Sequence, residues 1–331
     1  MLYCYARLSL IITLSWTITI VCSAQSIHVD SIITLSSLKE MVQTLSADSF
    51  QGRLTGTVHA SRAALYISSA FEKAGAMPIA GNDGYIMPFT MGNKVTAFNV
   101  VAALPGRSRA GELIIFSAHY DHIGTKNHTV PYYVPERGKP EKKDKIYNGA
   151  NDNASGISGL IHLARYFARY PQRERTIIFI AFSGEEEGLL GSKHLAEAFD
   201  PKAVTAMVNM DMIGRPVSEN NKNPYITGEE HSNLQELLNK RLFHLAPQYG
   251  EKYFRPDRFT HENLYARSDN FPFAKRGVIA HTIITSSPVD IYYHSLNDEW
   301  ETLDYPFMTE VVKAIALATT GLADGSDTPK K

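Results

Sequence analysis

Cysteine is nearly absent: the 331-residue chain has only 2, Cys4 and Cys22. Both fall in an N-terminal stretch where Arg7 precedes an apolar run, Leu8 to Val21, followed by Cys22-Ser23-Ala24 and Gln25. This reads as a cleaved signal peptide over residues 1–24, with Ala24 as the small residue at the cut. The apolar run is too short for a bilayer, which takes about 20 residues to cross. A lipoprotein is the weaker reading, because Val21 stands where a lipid-attachment motif wants a small residue. The mature chain then has no disulfide, no thiolate metal ligand and no cysteine nucleophile. An exported chain of this size without disulfides points to a bacterial protein, periplasmic or secreted, with no stable membrane span after cleavage. An excess of one charge is also missing. A formal net charge of −1 leaves no electrostatic footprint for nucleic acid. Several catalytic signatures are absent too: no G-x-S-x-G elbow, no Walker loop, no G-x-G-x-x-G and no H-E-x-x-H. His261-Glu262-Asn263-Leu264-Tyr265 comes near the last, but Tyr265 occupies the place of the second histidine.

What remains is ordinary globular material, 44% hydrophobic against 20% charged, enough for a substantial core in a single domain over residues 25–331. Residues 25–96 read as a mostly helical N-terminal part. Leu38, Met41, Val42 and Leu45 recur at helical spacing, and a second amphipathic stretch runs from His59 to Ala74. Between them lies a turn-rich loop, Gln51-Gly52-Arg53-Leu54-Thr55-Gly56-Thr57. The core, 97–324, alternates short apolar runs (98–104, 112–118, 176–182, 204–210, 278–285) with helical segments (154–170, 189–199, 232–245, 306–322). That alternation predicts an α/β fold with a mixed, mainly parallel central sheet flanked by helices. Residues 325–331 form a polar tail expected to fray. In such a sheet ligands bind beyond the carboxyl ends of the strands, so the residues after each run matter most.

Those residues are rich in oxygen and nitrogen donors. His119-Tyr120-Asp121-His122 follows the second run, and the period of two puts His119 and Asp121 on one side, where Asp121 can orient a ligating imidazole. Asp152 lies in the Gly149–Gly156 loop entering a helix; taken alone, it reads as a helix cap. Glu185-Glu186-Glu187 ends the third run, and adjacent carboxylates repel unless cations or protons compensate. Asp211 follows the fourth run, and His294 precedes Asp298 by four residues. Histidine and carboxylate without thiolate suit zinc, with manganese or cobalt as substitutes. Two cations fit the set, and the surplus of carboxylates leaves one glutamate free as general base on a metal-activated water.

At these residues the sequence resembles the M28 family of zinc peptidases, the co-catalytic aminopeptidase group. The matching segments are SAHYDHIG (117–124), NGANDNASG (148–156), FSGEEEGLLGS (182–192), NMDMIG (209–214), RSDNFPFAKRGV (267–278) and YHSLND (293–298), with a looser echo in GRLTGT (52–57). The resemblance implies a phosphorylase/hydrolase-like zinc exopeptidase architecture holding two Zn2+. Asp152 would bridge the ions, His119 and Asp211 would complete one site, and Glu186 and His294 the other. Glu185 would be the general base, Asp121 the residue orienting His119, and Glu187 a solvated neighbour. Asn270 stands where many members have histidine, and Ile279 where proline often follows; both border the substrate pocket. Tyr265 is a candidate oxyanion donor, with Arg267 and Asp269 beside it in the pocket. The charged segment 126–145, between the first ligand and the bridge, reads as a solvated loop, with a functional lid as the alternative.

The implied substrate is the N-terminus of a peptide or protein. A glutaminyl cyclase-like acyltransferase and a carboxypeptidase are the enzymatic alternatives. A non-catalytic receptor of the same fold should have lost ligands or the base, and none is missing here.

Overall fold

A computed structural model describes residues 28–128 and 144–331. The expected signal peptide and residues 129–143 of the charged segment lie outside the described residues. The described strands are Ile86–Thr90 (β1), Thr96–Leu104 (β2), Arg109–His119 (β3), Arg175–Phe182 (β4), Val204–Met210 (β5), Tyr225–Ile226 (β6), Arg255–Pro256 (β7) and Ala280–Ile284 (β8). They form one sheet in the order β1-β2-β4-β3-β5-β8-β6-β7. The central strands β4, β3, β5 and β8 are parallel. Antiparallel pairs flank them, β1 with β2 and β2 with β4 on one side, β6 with β8 on the other. The expected mixed, mainly parallel α/β sheet is therefore what forms.

Strand alternation splits the core in two. Ile114, Phe116, Ala118, Ile177, Phe179 and Ala181 pack into the larger cluster, under helices Leu35–Leu45, Val58–Ala74, Gly156–Arg169 and Tyr305–Ala318. Ile115, Ile178, Ile180 and Phe182 point to the opposite face, toward Leu195 and Phe273. The N-terminal helices begin where hydroxyl caps start them. Thr34 Oγ1 accepts from Ser37 N and Thr57 Oγ1 from Ala60 N. Gly75, at φ 86°, ends the second.

The structure differs from the sequence expectation in three places. The N-terminal part is not only helical, since it supplies β1 and the bridge from Met77 to Ala103. Residues 325–331 do not fray. Arg175, fully buried, donates to the carbonyls of Leu322 and Asp327 and to Thr328 Oγ1, and Asn233 and Lys330 exchange hydrogen bonds. The short helix Asn270–Lys275 and the two-residue strands β6 and β7 had no periodic signal. From β3 the chain crosses one way to β4 and then returns to the other side for β5, which opens a crevice beyond the carboxyl ends of these strands.

Candidate metal centre

Each strand end delivers one part of the site. His119 is the last residue of β3, Glu185 and Glu186 follow β4, and Asp211 follows β5. Asp152 arrives on the segment before the crossover helix, and His294 on the chain after β8. His119, Asp152, Glu186, Asp211 and His294 are at most 9% exposed. They fall into two groups that share Asp152. His119 Nε2 is 3.4 Å from Asp152 Oδ1 and 3.4 Å from Asp211 Oδ1. His294 Nε2 is 3.3 Å from Asp152 Oδ2 and 2.9 Å from Glu186 Oε2.

These separations test whether a metal fits. Three of them are long for a charge-assisted hydrogen bond, which is about 2.7–2.9 Å. Two N or O ligands at about 2.0–2.2 Å from one tetrahedral zinc stand about 3.3–3.6 Å apart. The donor set fits zinc in chemistry, and three of its four separations also fit in spacing, the fourth, His294 to Glu186, being at hydrogen-bond distance. Asp152 presents a different oxygen to each group.

The supporting contacts are specific. His119 Nδ1 lies 3.2 Å from the Asp121 carbonyl and 3.8 Å from Asp121 Oδ1, so the backbone oxygen rather than the carboxylate is its nearer partner. The Asp121 carboxylate instead accepts from Thr55 Oγ1 and from the amides of Glu185 and Glu186, tying β3 to the acidic loop. Asp211 Oδ2 accepts from Ser268, which accepts from Asn209 of β5. Asp298 accepts from the amides of Asn151 and Asp152 and is held by Arg215 at 2.9 Å, which fixes the Asp152 loop.

The two neighbouring glutamates are pushed apart electrostatically. Burial, with Glu186 and Asp211 nearby, raises Glu185 well above the usual carboxylate range despite the pull of His119. Against the cost of burial, His294 and His122 hold Glu186 well below that range. Opposed environments of this kind assign different roles to two like groups. Glu185 belongs to neither donor group and lines the same cleft.

That cleft has Met212, Tyr225, Leu264 and Ile284 on its apolar wall. Arg267 also lines it, with its guanidinium 3.6 Å from Glu262. Asp269 lies behind the site, fully buried, its carboxyl pushed up to about 7 by burial first, with Asp121 and Asp211 contributing. Tyr265 lines a separate cavity with His231, Phe271 and His281, whereas Tyr293 lines the metal cleft. The Tyr265 ring lies against Gly228, where a Cβ would meet Tyr265 Cδ2 at 2.2 Å.

Several residues that pack around these donors carry no role from the sequence. His122 Nδ1 lies 2.8 Å from Glu186 Oε1 and belongs to the donor cluster with Asp152 and His294. Its place in His119-Tyr120-Asp121-His122 was the available signal. Arg53, Ser268, Asp298 and Tyr293 receive no role from the sequence, although each lies in a quoted segment.

The model of peptidase family M28 matches residues 99–319. A probable zinc metalloprotease of Phaeosphaeria nodorum is 34% identical over 135 residues, 40% of this chain and 27% of that protein. Leucine aminopeptidase 1 of Trichophyton rubrum is 26% identical over 88% of this chain and 78% of its own length. The chain spans 27% to 38% of the length of the fungal zinc metalloproteases it matches. Among solved structures, Legionella pneumophila LapA has a TM-score of 0.68 at 21% identity, covering 89% of this chain and 76% of that one. Porphyromonas gingivalis glutaminyl cyclase also reaches 0.68, at 18% identity, over 88% and 99%. No described helix is long and apolar enough to cross a membrane.

Proposed function

The chain belongs to peptidase family M28, and on that premise we propose that it is an exported aminopeptidase that releases N-terminal residues from peptides with two zinc ions. The observation that carries this reading is Asp152, whose two oxygens stand 3.4 Å from His119 and 3.3 Å from His294. One ion would be held by His119, Asp152 and Asp211, the other by Asp152, Glu186 and His294. Zinc there would polarise the scissile carbonyl and make water acidic enough to attack it.

The protein's own groups supply the rest. Glu185 takes a proton from the attacking water at its carboxylate and returns it to the departing amine. Tyr293 faces the same cleft, and burial, with Glu186 and Asp152 beside it, raises its hydroxyl well above its ordinary value. It therefore keeps its proton at neutral pH and can donate to the carbonyl oxygen as negative charge develops. The carboxylates around the cleft receive a free α-ammonium, and the wall of Met212, Tyr225, Leu264 and Ile284 receives an apolar first side chain. The name of the Trichophyton rubrum relative supports that preference. Arg267 is the residue that would favour a C-terminal carboxylate instead. Residues 25–331 act as one domain in this reading, with 1–24 removed on export.

The test is a panel of aminoacyl-anilides beside N-acetylated and C-amidated peptides. Cleavage should be abolished by N-acetylation, tolerate C-terminal amidation and favour leucine, and zinc content should saturate at about two per chain. Saturation at one, or the opposite blocking pattern, would sink the assignment. The fold is shared with a glutaminyl cyclase, so a peptide with N-terminal glutamine belongs in the panel. Cyclisation without hydrolysis would select that second reading.

A further inference from the structure

We propose that Arg53 and Thr55, on a loop that precedes the family match, are positioning residues for the metal centre. Arg53 is 1% exposed, and its guanidinium donates to four carbonyls. Nε reaches Tyr120 O at 2.7 Å, between His119 and Asp121. Nη1 reaches Asn148 O at 2.7 Å and Nη2 reaches Gly149 O at 2.8 Å, at the start of the Asp152 loop. The remaining bond, Nη1 to Leu45 O at 2.7 Å, anchors the fork to the end of the helix Leu35–Leu45. One planar group thus spans the backbones that carry His119 and Asp152. Lysine cannot copy this, because a single ammonium lacks the rigid fork of donors.

The same loop grips the site from its backbone and from Thr55. The amide of Gly124 donates to Gly52 O at 3.0 Å. A Cβ at Gly52 would meet Gly124 O at 2.2 Å, and Gly52 sits at φ 67°, so glycine alone permits this approach. Thr55 Oγ1 donates to Asp121 Oδ2 at 2.9 Å and accepts from Gly184 N at 3.0 Å, next to the general base. Arg53 is also a buried cation under Asp152, Asp298, Asp121 and Glu186, offsetting part of their mutual repulsion. Three of the four carbonyls lie on the two segments that carry His119 and Asp152. The loop between the N-terminal helices therefore braces the segments that carry the site.

The inference rests on the metal-centre reading, so zinc binding by the unaltered mature protein is measured first; its failure would sink that reading rather than this one. Arg53→Lys and Thr55→Val are then compared by chelator competition for zinc and by amide hydrogen exchange of the metal-free protein. Partners that orient metal ligands typically contribute about 10–100-fold in metal affinity. Both variants should weaken zinc by that range and speed exchange within 119–124 and 148–152, leaving the rest of the sheet protected. Native zinc affinity in both variants, or faster exchange spread evenly over the sheet, would overturn the proposal. Should Arg53→Lys fail to fold, Thr55→Val decides by the same two readouts, since it removes one hydroxyl and keeps the side-chain shape.

Discussion

Replacing Glu185 by glutamine is the cleanest perturbation of the proposed chemistry. The amide keeps the side chain's volume, and the loop is held by bonds the substitution does not touch. Gly188 N and Leu189 N donate to the Glu185 carbonyl, and Glu185 N donates to Asp121. No donor in either metal group is lost, because those groups use Glu186 and not Glu185. What disappears is the proton acceptor. General-base catalysis contributes about 10²- to 10⁴-fold, or roughly 3–5 kcal/mol of barrier. Steady-state assays on leucine anilide should therefore show kcat down by at least about 10²-fold, with KM little changed and zinc content unaltered by elemental analysis. Glu186→Gln should behave in the opposite way. Its Oε2 lies 2.9 Å from His294 and its Oε1 2.8 Å from His122, so zinc should be lost and activity restored in part by added metal. Glu187→Gln should leave both readouts near the native values. If Glu185→Gln lost zinc, or if Glu187→Gln carried the loss of kcat, the division of labour along the acidic loop would be wrong.

Tyr293→Phe should cost about 10²- to 10³-fold in kcat, the usual loss of one oxyanion donor, while Tyr265→Phe should change kcat little because its ring lines a different cavity; equal losses would return Tyr265 to the site. His162 is buried, accepts from Ser37 Oγ and donates to the Ser158 carbonyl, and burial holds it down at about 4 against 6.5 when free. Its folded pKa is depressed, so the unfolded chain takes up the proton first as pH falls. Stability is intact above pH 6.5 and declines by about 3 kcal/mol in total between 6.5 and 4. Urea titrations across that window should show the decline, and His162→Gln should flatten it. Deleting residues 325–331 strips Arg175 of Asp327 O and Thr328. Charged hydrogen bonds contribute about 1.5–3 kcal/mol each, so the melting temperature should fall by several degrees; an unchanged midpoint would mean the tail only rests on the surface.

The central sheet and the main donors were legible in the sequence because both are written in side-chain types. Buried parallel strands read as apolar runs, and β4 and β5 form at 175–182 and 204–210 against expected runs of 176–182 and 204–210. Donors follow those runs because the topology puts strand ends at the crevice, so His119, Glu186 and Asp211 stand out by position as donor-rich strand ends, whereas Asp152, on the loop before a helix, and the choice of Glu186 among three glutamates come from the resemblance. The short strands β6 and β7 carry no comparable signal, since two residues cannot display a period. Tyr265 shows where adjacency misleads. It lies two residues before Arg267, but the ring is turned over Gly228 toward His231, at 4.7 Å between centroids.

The least legible contacts are those in which a side chain recognises a carbonyl, because every residue has one and the partner's identity leaves no mark. Arg53 bonds to Leu45, Tyr120, Asn148 and Gly149 through backbone oxygens only, and Arg175 to Leu322 and Asp327 in the same way. In each case a fully buried arginine gathers distant segments, and in each case the sequence offers only a charged residue in or beside a turn. Burying a guanidinium is costly unless its donors are satisfied. Arg53 and Arg175, the latter also paired with the Glu112 carboxylate at 2.6 Å, therefore mark junctions of backbones, and at Arg53 the backbones so joined are those carrying His119 and Asp152. The part of the site that the sequence hides is thus the part to which the bracing is assigned, while the part it displays is the donor set to which the proposed chemistry is assigned.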